Sequence, residues 1–354
     1  MNMYWSIYES LEEETLKLAD NIFFTNEQLN VYSLSIGNLI IRCAIEIESL
    51  SKELYIRLGG SQLVIDKVTN QNREPFFDTE CLNLLVELWQ VDRKKLQITS
   101  PKMYFDSEKV VLTPLKKSNK RGTSGSKWKQ AYQGIKHNRT KEFKKATIEN
   151  LLNALGALYI LNIYYRNDSY WCGTPIEGKE EYKNDSKIFT PYIYDVSHHI
   201  SLNDNNENIN SSYYESIYIK KYTNNVVQQI RNFMFNINLG LFLNGISSDE
   251  FLKYKMDHPN EIEINSMNIN FFESIGLNVE NIFKNIDVRS IPIEILKSKE
   301  IILNNSLPIY PEQKYEDFLK TNEAQNMITK TMNKLNEKFN ALITSIHREK
   351  PAPN

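Results

Sequence analysis

The chain has 354 residues, enough for two domains, with 41% hydrophobic and 24% charged residues and a formal net charge of −2. That balance excludes wholesale disorder and a molecule that acts as a global polycation, so any affinity for nucleic acid must come from a local patch. Three widely spaced cysteines, Cys43, Cys81 and Cys172, form no CxxC pair and support neither a zinc knuckle nor a disulfide framework.

The opening "MNMYWSIYESLEEE" turns acidic at once and has no basic leader, so no signal peptide is expected and a cytoplasmic location is. Residues 4 to 20 read as a first helix. Residues 27 to 58 read as a long second helix, with Ile36, Leu39, Ile40, Cys43, Ile47, Leu50 and Leu54 at helical spacing and Gly59-Gly60 as its stop. Residues 78 to 91 form a third. A loop of roughly thirty residues follows, longer than compact domains tolerate without a reason. A helix from 127 to 136 comes next, then a break between His137 and Thr140, and a strong helix from 141 to 166. The apolar run "LLNALGALYILNIYY" falls short of the ~18 unbroken apolar residues of a membrane span and reads as a core helix.

The expected fold class is therefore mainly α: a five-helix bundle over residues 1–172, then a mostly helical region over 173–354. Within the latter, "KIFTPYIYDV" and "YYESIYIKKY" read as short strands, "SLNDNNENINSS" as a loop, and residues 223–256 and 311–347 as helix.

Charge is distributed unevenly. Between residues 116 and 145 lie Lys116, Lys117, Lys120, Arg121, Lys127, Lys129, Lys136, Arg139, Lys141, Lys144 and Lys145, against Glu142 alone. The local charge is +10, so the remainder carries −12. A phosphate backbone suits such a stretch, and Trp128 and Tyr132, interleaved with the charges, suit stacking on unpaired bases. An acidic protein surface, or simple solubility, would account for the same charges.

Within the segment, "KHNR" sets His137 beside Lys136, Asn138 and Arg139. Metal-independent RNA cleavage needs a group that titrates near neutrality to move a proton, and a cation to hold the charge on the phosphoryl oxygens. His137 supplies the first, and Lys136 or Arg139 the second. Asn138 adds a neutral donor, and Thr140 is a candidate N-cap for the next helix. The competing account is that Lys136 and His137 only satisfy the last carbonyls of a helix. Arg42, one turn before Glu46, reads as half of an i,i+4 ion pair. The pair His198-His199 points to opposite faces if extended and does not suggest a metal site; His258 reads as a turn residue. Phosphate-binding loops and nucleophile elbows are missing from the sequence, and no cofactor is expected.

The segment "WKQAYQGIKHNRTKEFKKATIENLLNALGALYILNIYY", with "YSLSIGNLIIRCAIEIESLSKEL" before it, resembles the HEPN superfamily of bacterial helical bundles over roughly residues 25–168. Those bundles occur in toxin–antitoxin, abortive-infection and CRISPR-associated systems. The resemblance implies a metal-independent endoribonuclease of antiviral defence that works as a homodimer, with a partner protein or antitoxin, and in which residues 173–354 sense a trigger or bind a partner. It places His137 at the motif's histidine, matches Glu46 or Glu48 and Lys52 to a Glu and a downstream Lys that recur in those bundles, and sets Arg42 and Glu46 beside the site. The arginine that precedes the histidine in active members has no counterpart: Gln130, Ala131 and Tyr132 stand there. Two expectations follow: a nuclease in which Lys129, Lys136 or Arg139 replaces that arginine in space, or a bundle that binds RNA or a partner without cutting.

Overall fold

The computed structural model describes residues 3–66, 68–116, 126–197, 211–258, 269–278 and 293–305, with isolated positions between 326 and 344. By its internal contacts the chain divides into two units, one built from residues 1–199, 206–221 and 298–309, the other from 200–205, 222–297 and 310–354.

In the first unit, helix α1 (Met3–Asn21) buries Tyr4, Tyr8, Leu11, Glu12, Thr15 and Ala19 along one stripe. Helix α2 (Leu34–Arg57) begins where the Ser33 hydroxyl accepts from the Ile36 N–H at 3.2 Å. It stops before Gly59, whose φ of +91° lies in the left-handed region that favours glycine. Helix α3 (Leu82–Trp89) follows a π turn over Phe77–Cys81 and ends at a left-handed Gln90.

Helix α4 (Lys127–His137) is followed by a short α5 (Arg139–Glu142), a 3-10 turn (Phe143–Lys145) and helix α6 (Ile148–Arg166). The long helix is thus capped by Thr147, whose hydroxyl accepts from Asn150 N–H, and not by Thr140, which lies inside α5. Fifteen of the nineteen residues of α6 are buried, so the helix is apolar on all sides and forms the centre of the unit. Helices α1, α2 and α4 pack around it.

The expected mainly α architecture is incorrect; the fold is mixed α/β, with four small sheets among the described residues. The stretch read as a thirty-residue loop contains β4 (Leu96–Ile98), β5 (Met103–Tyr104) and β6 (Val111–Leu112), preceded in the chain by β1 (Phe24–Thr25), β2 (Val64–Ile65) and β3 (Asn72–Arg73). Strand β4 pairs antiparallel with β6 and with β9 (Phe189–Pro191), setting Ile98 opposite Phe189. This sheet covers α6 closely: a Cβ on Gly156 would lie 3.0 Å from Pro114 Cγ and 3.2 Å from Leu96 Cδ1.

A five-stranded sheet has the order β10 (Ile193–Asp195), β11 (Tyr218–Tyr222), β12 (Ser298–Leu303), β7 (Tyr170–Gly173), β8 (Glu180–Glu181). Its central strand comes from residues about 130 positions beyond β7, pairing Ile301 with Tyr170 and Ser298 with Gly173. Strands of two to six residues carry too little alternation to declare themselves, and their partners are remote in sequence.

Glu12, 2% exposed, fastens α1 to the residues that lead into β9, in the three-stranded sheet. Its carboxylate accepts from Tyr8 Oη (2.7 Å), Ser186 Oγ (2.5 Å) and the N–H groups of Lys187 (3.0 Å) and Ile188 (3.2 Å). A buried carboxylate needs this many donors to offset its lost hydration.

In the second unit, α8 (Asn224–Ile246), α9 (Asp249–Asp257) and α10 (Ile269–Ser274) enclose Leu241, Ile246, Phe251, Phe272 and Leu277. The helical reading of 311–347 falls outside the described residues except at isolated positions, as does the loop reading over 201–210; Ser211 and Ser212, read as loop, instead open helix α7 (Ser211–Glu215). No helix among the described residues is long and apolar enough to cross a membrane.

Candidate functional site

The joint around His137 is built by one residue that breaks helix geometry, Asn138. Helix α4 turns Trp128, Ala131, Tyr132 and Ile135 inward, which leaves Lys136 and His137 outside at its last turn. Asn138, at φ −145° and ψ 57°, ends the helix; its N–H still bonds Gly134 O at 2.8 Å. Its own carbonyl accepts from Lys141 N–H (3.2 Å) and Glu142 N–H (3.0 Å), which starts α5. The chain folds back so tightly that a Cβ on Gly134 would lie 2.9 Å from Glu142 Cβ. Phe143 then seats on α2, where a Cβ on Gly37 would be 3.1 Å from its ring. Every residue from Lys136 to Lys141 is exposed.

The cations of this segment separate into two groups. Lys136, Arg139, Lys141 and Lys144 are exposed and have no carboxylate within 4 Å among the described residues. Lys127 and Lys145 lie near Glu149 (3.4 Å) and Glu142 (2.5 Å). Lys116 is exposed beside residues 117–125, so the expected contributions of Lys117, Lys120 and Arg121 lie outside the described residues.

Three expected RNA contacts sit in the interior. Trp128 is 1% exposed, donates from Nε1 to Pro114 O at 2.8 Å, and offers no free ring face to a base. Tyr132 is also buried. Lys129 is 3% exposed: its ammonium meets Glu48 directly, has Asp78 at 3.8 Å, and lies 5.0 Å and 5.2 Å from the centres of the Phe77 and Tyr132 rings. Its charge is spent inside the fold.

Arg42 pairs with Glu14 of α1 at 2.6 Å, where the sequence suggested Glu46 one turn along. This hydrogen bond from Arg42 holds the Glu14 carboxyl below the usual carboxylate range. Lys52 pairs with Glu74 at 2.8 Å, and Glu48 with Lys129.

A groove of 690 Å³ opens between α1 and α2 and brings Arg42 and Arg139 to one place. Helix α1 contributes Glu14, Lys17, Leu18 and Asn21 at intervals of three and four residues, one face of the helix. Helix α2 contributes Asn38, Ile41 and Arg42, and α5 supplies Arg139. His137 is not among the lining residues, so Arg139 belongs to the groove while His137 stays on the outer turn. Lys17 and Asn21 escaped the sequence reading. The signal was available in the polar stripe of α1, but nothing local tied that stripe to Arg139, more than a hundred residues away.

Other side chains offer less. His258 stacks on Tyr254 at the end of α9, with centroids 4.4 Å apart. Among the described residues no group of three metal-ligating side chains forms, and His198 and His199 lie outside them. Burial pushes the Cys43 thiol up to about 12, an unreactive thiol. Comparison with protein-family models, with curated proteins and with solved structures gave no match.

Proposed function

We propose that this chain binds the phosphate backbone of single-stranded RNA on the turn from Lys136 to Lys144. The observation that carries the reading is the set of four exposed cations there without described carboxylate partners, within nine residues. Cations already paired add little affinity, whereas unpaired exposed ones release counterions from a polyanion. The resemblance to HEPN bundles supports RNA as that polyanion, in a defence complex.

The test is anisotropy with a labelled single-stranded RNA across a salt series. Removing Lys136, Arg139, Lys141 and Lys144 together should weaken binding at least about tenfold and lower the salt slope by about 3, at roughly 0.7 per phosphate contact. Unchanged affinity and slope would refute the proposal.

A second reading, metal-independent cleavage, has one observation in its favour: His137 is exposed beside those same cations, where its ring can reach a phosphodiester. In it His137 moves the proton, and Lys136 and Arg139 steady the phosphoryl oxygens. Cleavage that persists in EDTA and disappears in His137→Ala would support it; binding without cleavage would leave the chain a non-catalytic module.

A further inference from the structure

The groove between α1 and α2 has a composition that the backbone-binding turn does not explain. Three cations, Lys17, Arg42 and Arg139, face one carboxylate, Glu14, which leaves a formal charge of +2. They come from three separate helices: α1 and α2 pack together and share the Arg42–Glu14 pair, and Arg139 reaches them from α5, just before Phe143 seats on Gly37.

The Arg42 guanidinium is engaged on one side. Glu14 holds it through one terminal nitrogen at 2.6 Å, leaving the rest of the fork available for a second acceptor. Arg139 has no described partner at all. A guanidinium held by a carboxylate on one side, in a groove that a second guanidinium also lines, is suited to a doubly charged, several-oxygen anion. A single carboxylate ligand would leave half of that charge uncompensated.

The remaining walls are of a different kind. Leu18 and Ile41 are half-buried apolar side chains on opposite helices. Asn38 has an exposed amide with no described partner, and Asn21 bonds only its own helix, donating to Lys17 O at 2.9 Å. At 690 Å³ the space lies within the ~300–1,000 Å³ usual for small-ligand sites and exceeds what inorganic phosphate fills.

We infer that this groove is a phosphomonoester site of nucleotide size: Arg42, Arg139 and Lys17 hold a terminal dianionic phosphate, and Leu18, Ile41 and the two amides receive the attached sugar and base. The inference goes beyond backbone binding, since a diester has a single negative charge per phosphate and no terminal group. The phosphomonoester could be that of a free mononucleotide or that of a phosphorylated RNA end. Arg139 is shared between the groove and the basic turn; Lys17 and Arg42 are not.

The test is calorimetric titration of the full chain with adenosine 5′-monophosphate, with adenosine, and with one short RNA carrying either a 5′-phosphate or a 5′-hydroxyl. The phosphate-bearing member of at least one pair should bind at least about tenfold tighter. Preference for the monophosphate over adenosine assigns the free nucleotide; preference only between the two RNAs assigns the RNA end. Arg139→Gln, which disturbs no described ion pair, and Lys17→Gln should each abolish most of that preference. Lys144→Ala, outside the groove, should weaken RNA binding while leaving the phosphate preference intact. No preference in either pair, or a preference that survives Arg139→Gln and Lys17→Gln, overturns the inference. Because RNA affinity is read in the same experiments, loss of this site is told apart from loss of backbone binding.

Discussion

The ammonium of Lys129 on α4 is sealed against the carboxylate of Glu48 on α2, beneath the most basic stretch of the chain. The pair lies on the buried side of α4, whose outer end presents Lys136 and His137. Replacing Lys129 with Ala leaves Glu48 and Asp78 facing an empty site, and should destabilise the fold by about 2–4 kcal/mol, less than a fully buried pair because both acids are partly exposed. Urea unfolding measures it. A loss no larger than that of an exposed Lys141→Ala control would contradict the interior role.

The tightness of the α4–α5 turn gives a second prediction. Gly134→Ala puts a methyl 2.9 Å from Glu142 Cβ and must displace α5. It should cost about 1 kcal/mol and weaken RNA binding without removing any charge. Unaltered affinity in this variant would mean that the cations act independently of the turn's geometry.

The helical half of the fold was legible and the sheets were not. Ile36, Leu39, Ile40, Cys43 and Ile47 announce α2 by their spacing, and "LLNALGALYILNIYY" announces a central helix by being apolar all round. Strand β12 shows only "SKEIIL", and what makes it a strand is pairing with β7 far earlier in the chain. The candidate site divides the same way. That His137 ends a helix follows from local sequence. That Lys129 is spent inside does not, because its partners Glu48 and Asp78 lie 81 and 51 residues away. The position of Trp128 and Tyr132 on the inward face of α4 was readable in principle, since both share a stripe with Ala131 and Ile135.

Lys94 provides a pH-dependent prediction. It is 1% exposed, and its ammonium donates to Tyr214 O at 3.1 Å. Burial, aided by the Arg93 charge, pushes its pKa down from 10.5 to about 7. Between those values the unfolded chain binds more protons than the folded one, so this group makes stability rise with pH from about 7 towards 10.5. Below 7 both states are protonated and the full cost of a buried charge applies. Lys94→Met should therefore gain most over the parent chain at and below neutral pH, with the advantage shrinking as pH rises. Unfolding midpoints across that range that stay parallel for the two proteins would refute it.

Glu80 works in the opposite direction. It takes two hydrogen bonds from Arg73, at 2.8 Å and 3.1 Å, with others from Thr79 and the Phe76 N–H. Arg73 foremost holds its pKa down to about 2. Its contribution is whole above about 4.5 and is lost as pH falls towards 2. Glu80→Gln should cost on the order of 1 kcal/mol at neutral pH, allowing for solvent screening at a site about a quarter exposed, and nothing near pH 2. Acid titration of the two proteins by circular dichroism should show their curves converging at the acid end.

The carboxylate of Glu12 has a consequence for how the chain is made. Its donors at Ser186, Lys187 and Ile188 follow it by 174 to 176 residues. At roughly 5–20 residues per second, α1 emerges from the ribosome some ~10–35 s before the backbone that neutralises its buried acid. During that interval Glu12 belongs in water, and the helix cannot settle into its final seat on α6. Any fragment that stops short of residue 186 lacks all three of these donors.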